Sequence, residues 1–124
     1  MFIEVFKSVD DIIKEYGGTR WGTDEDETPE RDAIQAQLKD ATIHLAWYGY
    51  GSYCGESLVI YEKDGKLYEV NASHCSCYGL EGQWTPEETS WAALAKRTIY
   101  GECAGSTTAQ ETLQALVAAH TAQE

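Results

Sequence analysis

The chain has 124 residues, with 21 Asp and Glu against 9 Lys and Arg for a formal charge of −12, and 43% of its residues are hydrophobic. That length suits one domain with its own core, and the apolar content excludes wholesale disorder. The charge excludes unaided binding to a phosphate backbone, which needs clustered Lys and Arg, and no stretch reaches the roughly 20 apolar residues of a membrane span.

The start, Met1 to Lys7, lacks the basic residues and long apolar run of a secretion signal, so the cytosol is the expected compartment. Residues 2–7 read as a short edge strand. Ser8 followed by Asp11 resembles a capping box, and Val9, Ile12, Ile13 and Tyr16 fall at helical spacing before Gly17-Gly18. The spacing predicts a helix over about 9–16. A loop over 17–28 ends in the acidic run Asp24-Glu25-Asp26-Glu27. Thr28-Pro29 then opens a helix over about 29–40, because Pro suits the first helical position.

Thr42 to Tyr50 is β-rich, with Ile43, Leu45 and Trp47 expected on one face. Ser57 to Glu62 reads as a second strand and Leu67 to Asn71 as a third. Asp64-Gly65 between them is a hairpin signal, since both residues tolerate positive φ. Thr85-Pro86-Glu87-Glu88 has the composition of a helix start, predicting a helix that carries Trp91, Leu94 and Ala95 and ends near Gly101. A last helix, capped at Thr107 or Thr108, would bury Leu113, Leu116 and Val117. The expected fold is therefore α+β: a three-stranded antiparallel sheet over about 42–71, with N-terminal and C-terminal helices on one face.

Chemistry concentrates in Ser73-His74-Cys75-Ser76-Cys77-Tyr78, just after the third strand. Thiolate and imidazole are preferred zinc ligands, so His74, Cys75 and Cys77 form one candidate set, with Cys54 or Cys103 completing a tetrahedron. A second reading is thiol chemistry, with His44 or His120 supplying a base through the fold. A third is structural, since cysteine packs as a small hydrophobe. Glu62 and Glu69 are expected to face each other across the hairpin, but in so acidic a chain a carboxylate pair is not specific. Gly49-Tyr50-Gly51 lacks a phosphate-binding lysine and opens no helix. The exposed tyrosines expected there, Tyr48, Tyr50 and Tyr53, suit a protein contact surface.

Charge is unevenly placed. Asp24, Glu25, Asp26, Glu27, Glu30 and Asp32 are accompanied only by Arg31, and no Lys or Arg follows Arg97. Part of this is ordinary helix-start chemistry and solubility. The remainder would steer encounter with a basic partner such as a nucleic-acid-binding protein.

Four segments carry a resemblance: Tyr50-Gly51-Ser52-Tyr53, Glu62 to Val70, Ser73 to Glu81 with its His-Cys-Ser-Cys-Tyr-Gly-Leu-Glu core, and Trp84-x-Pro86-Glu87-Glu88. Together they resemble a family of small accessory proteins of tailed bacteriophages. The resemblance implies expression inside a bacterium and, by analogy, a host-takeover or anti-defence role such as an anti-CRISPR protein. It carries over no catalytic residue. The expected function is a non-enzymatic inhibitor that mimics nucleic acid and binds a basic host protein through Asp24, Glu25, Asp26, Glu27, Glu30, Asp32, Tyr48, Tyr50 and Tyr53. The alternatives are a zinc-binding or thiol-dependent enzyme centred on His74, Cys75 and Cys77, and a phage structural or assembly component.

Overall fold

A computed structural model of the protein describes residues 2–17, 29–50, 54–75, 83–97, 99 and 103–121. Its elements run β1 (Phe2–Glu4), α1 (Val9–Tyr16), α2 (Pro29–Leu38), β2 (Thr42–Tyr50), β3 (Cys54–Lys63), β4 (Lys66–Cys75), β5 (Glu87–Thr89), α3 (Trp91–Leu94) and α4 (Ser106–Thr121). The class is α+β. The five strands form one mixed sheet in the order β1-β2-β3-β4-β5. The expected meander of β2, β3 and β4 is its antiparallel centre. The edge strand β1 pairs parallel to β2, with Ile3 opposite Trp47. A parallel neighbour needs a crossover connection, and α1 and α2 lie within it.

Helices cover both faces of the sheet, which corrects the one-face expectation. On one face Leu45, Trp47, Leu58 and Ile60 pack with Leu94 of α3 and Leu113 of α4. On the other Ala46, Tyr48, Val59 and Val70 pack with Ile12 of α1 and Ile34 of α2. Consecutive strand residues point to opposite faces, so the unbroken run Leu58-Val59-Ile60-Tyr61 is buried on both sides.

A one-residue irregularity changes the assignment of faces at the start of β2. Ile43 stands opposite Tyr61 and Leu45 opposite Ile60, so His44 is an extra residue, a β-bulge. Ile43 therefore packs on the α1–α2 face, not with Leu45 and Trp47 as expected. The ring of His44 meets Trp91 and His120 on the α3–α4 face.

Local expectations hold for α1, α2 and the hairpin. Asp64 and Gly65 both have positive φ, 54° and 79°, which a type I′ turn requires. The expected capping box at Ser8 is not formed: Ser8 makes no side-chain cap bond, and Asp11 Oδ2 instead accepts from Lys7 N at 2.8 Å. The helix expected from Thr85 is also corrected. Glu87–Thr89 pairs with β4 as the edge strand β5, and the helix starts later, where Ser90 Oγ accepts from Ala93 N at 3.1 Å. A free sheet edge competed with helix propensity here and took the segment. The last helix begins at Ser106, slightly before the expected cap, and buries Leu113 and Val117 as predicted.

Candidate functional site

The acidic segment is described only in part. Asp24, Glu25, Asp26 and Glu27 lie outside the described residues. Glu30 is on α2 and Asp32, one turn into that helix, is exposed. Asp32 lines a groove of about 570 Å³ between α1 and α2, together with Asp10 of α1. The groove also holds the apolar Val9, Ile13 and Leu38, with Lys39 beside them. Asp10 was missed in the sequence reading. It sits in the first turn of α1, where a carboxylate complements the helix dipole, and that bland role hid it. The base-free C-terminal stretch does not join this surface: α4 covers the opposite face of the sheet.

The tyrosine expectation divides. Tyr48 is only 1% exposed, its ring 5.5 Å from that of Phe6, so it is core and presents nothing to a partner. Its position within the doubly covered part of β2 is the cause. Tyr50 ends β2, and Tyr53 lies outside the described residues.

The cysteine and histidine candidates are distributed by strand register. Cys54 stands directly opposite Cys75, and Gly55 opposite His74. Cys54 and Cys75 are therefore at facing register positions, and His74 is at the position next to Cys75 along β4. Of the set His74, Cys75, Cys77 and Cys54, the register brings Cys54 and Cys75 opposite each other, and Cys77 lies outside the described residues. Cys103 is in no disulfide and is buried on the α3–α4 face. Among the described residues no group of three or more His, Cys, Asp or Glu side chains could hold a metal ion.

The proposed distant bases for the thiol are also misplaced. His44 Nε2 lies 3.2 Å from Glu62 Oε1, and the rings of His44 and His120 are 5.2 Å apart. Glu62 and Cys54 are eight positions apart on β3, a span of roughly 26 Å at strand rise. Neither histidine can take a proton from Cys75 at that distance. What the pair does is structural. His120 Nδ1 bonds Leu116 O at 2.8 Å, and its ring stacks on Trp91 at 4.1 Å. The cluster joins the last turn of α4 to α3 and the sheet.

Glu62 and Glu69 are not a facing pair either. Glu62 opposes Leu67, and Glu69 opposes Ile60. Glu69 instead lies 3.7 Å from Arg97 Nη1 and accepts from Asn71 Nδ2 at 2.8 Å, while Arg97 Nη2 donates to Asn71 Oδ1. Asn71 and Arg97 of this network line a second cleft of about 520 Å³ on the α3–α4 face, with Trp47, Glu56 and Ser73. Glu56 in the lining and Glu69 against the Arg97 guanidinium leave the cleft without a net positive charge, so it does not favour an anion.

Two tyrosines on the α1–α2 face have shifted acidity. Burial raises the Tyr16 hydroxyl far above its ordinary value, partly opposed by its 2.8 Å hydrogen bond to Ser57 Oγ. Burial, with the charge of Tyr68 beside it, pushes Tyr61 up to about 12. Both rings contact Trp84, whose indole donates to Gln37 Oε1 at 2.8 Å. Both phenols are thus held as neutral core groups, not as acid–base catalysts.

No helix among the described residues is long and apolar enough to cross a membrane. Comparison with protein-family models, curated proteins and solved structures finds no match to this chain.

Proposed function

We propose that this protein is a non-enzymatic acidic inhibitor that occupies the nucleic-acid-binding surface of a basic host protein, as a phage anti-defence factor would. The observation that carries the reading is the α1–α2 groove, lined by Asp10 and Asp32 together with the apolar Val9, Ile13 and Leu38 and by Lys39, in a chain of net charge −12. Carboxylates spaced along a groove can receive Lys and Arg, and apolar contacts supply affinity that survives salt. The sequence places the run Asp24 to Glu27 immediately before α2, which adds charge to the same helix start.

The test is competition. A basic partner captured by the protein should release bound duplex DNA or RNA as the protein is titrated in, with affinity falling as salt rises. The charge-reversal variant Asp10→Lys/Asp32→Lys should weaken capture at least tenfold. Capture that leaves nucleic acid in place, or is indifferent to both salt and the reversal, refutes this function.

A further inference from the structure

The strongest unassigned chemistry lies at the far end of the β3–β4 hairpin. The turn is two residues long with positive φ at both, so Lys63 and Lys66 flank it as a hydrogen-bonded pair. The register then runs without a shift from Lys63–Lys66 to Cys54–Cys75. Hydrogen-bonded and non-hydrogen-bonded pairs alternate along an antiparallel ladder. Cys54 lies nine positions before Lys63, an odd number, so Cys54–Cys75 is a non-hydrogen-bonded pair. Such pairs bring Cα atoms to about 4.5 Å, within the roughly 4.4–6.8 Å that a disulfide spans.

From this we infer that Cys54 and Cys75 are a redox-modifiable dithiol, closing to a cross-strand disulfide by exchange with a small-molecule disulfide. The thiolate of one cysteine attacks a sulfur of glutathione disulfide and expels a glutathione thiolate, leaving a mixed disulfide. The second cysteine, as thiolate, attacks the protein sulfur of that mixed disulfide and expels the second glutathione. Two protein thiols lose two electrons and two protons, and one glutathione disulfide becomes two glutathiones. The hairpin holds the two positions opposite each other before any reaction, so closure is effectively intramolecular and little native structure need move. Cys103 does not compete, because its thiol is buried in the core under α4.

The pair also sits where closure would matter. Strand alternation puts both positions on the face of the Arg97 cleft, one pleat beyond Glu56 and Ser73. Oxidation would fix the open end of the two longest strands beside that cleft.

The reduced full-length protein is incubated with glutathione disulfide, remaining thiols are alkylated, and tryptic peptides are mapped without reduction. Cleavage after Lys39, Lys63, Lys66 and Lys96 puts Cys54 in one peptide and Cys75 with Cys77 in another. The expected product is a monomer two hydrogens lighter, those peptides joined, and fragmentation placing the bond at Cys75. Cys54→Ser should instead accumulate a stable glutathione adduct on Cys75. The oxidised monomer should melt roughly 10 °C above the reduced one, since the crosslink restricts the unfolded chain. A bond from Cys54 to Cys77 or Cys103, an intermolecular dimer, or both thiols still alkylated in full overturns the proposal. So does stoichiometric zinc that blocks oxidation until a chelator removes it. The fragmentation is read on the unmutated chain, so a variant that failed to fold would leave the test intact.

Discussion

His44 and His120 meet edge to face with ring centres 5.2 Å apart, although 76 positions separate them in the chain. The contact exists because the bulge at His44 turns its ring toward α4. Deleting His44 would remove the bulge and leave Ile43 opposite Tyr61 and Leu45 opposite Ile60, each on the face it already occupies. The deletion is expected to leave unfolding cooperative and to lower the denaturant midpoint only by the lost contacts of the His44 ring with Trp91, His120 and Glu62. The milder His120→Ala, which removes the stack on Trp91, should cost about 1–2 kcal/mol, read as a lower denaturant midpoint with an unchanged slope.

Gly49 lies under the segment between α3 and α4. A Cβ there would overlap the carbonyl oxygen of Ala104, which accepts from Trp47 Nε1 at 2.8 Å. Backbone cannot rotate away as a flexible side chain can. Gly49→Ala is therefore expected to cost about 2–4 kcal/mol, combining overpacking with a weakened, partly buried hydrogen bond. Calorimetry would check it, with Gly65→Ala as a contrast in which only turn strain is added, no neighbour lying within 4 Å.

Tyr16 and Ser57 share a buried hydrogen bond of 2.8 Å between α1 and β3. Removing either partner alone strands the other's polar group. Tyr16→Phe and Ser57→Ala should each cost about 1–2 kcal/mol, while the double variant should cost less than their sum. Equality with the sum in a double-mutant cycle would show that the bond contributes no coupling.

The same tyrosines predict behaviour in base. The folded state holds Tyr16 and Tyr61 above the ordinary value of 10.0, in Tyr61 to about 12, so it favours their neutral forms. That stability is complete below pH 10 and is lost as pH rises through the raised values, because the unfolded chain then releases protons the native state retains. Denaturation midpoints should fall between pH 10 and 12. Tyrosinate absorbance from these two residues should appear with unfolding. A Tyr16→Phe/Tyr61→Phe protein should show a shallower fall.

Much of the local structure was legible in the sequence. The apolar spacing of Val9, Ile12, Ile13 and Tyr16 marked α1, and Asp64-Gly65 marked the hairpin, because helical period and positive φ are properties of neighbouring residues. The two-sided burial is also encoded, in the unbroken apolar runs Leu45 to Tyr48 and Leu58 to Tyr61, although the alternation expected for a one-faced sheet is absent there. The helix expected at Glu87 to Thr89 shows the opposite case: a capping pattern lost to an available strand edge on β4.

By itself the sequence determined the charge, the class α+β, the central meander and the four cysteines, all of which follow from composition or short-range pattern. Only the tertiary structure decided which groups meet. The His44 bulge, the opposition of Cys54 to Cys75, the joining of Asp10 with Asp32 and the burial of Tyr48 depend on register and on which helix covers which face. Those are relations between distant segments, set by the packing free energy of the whole chain, and a shift of one residue reverses them.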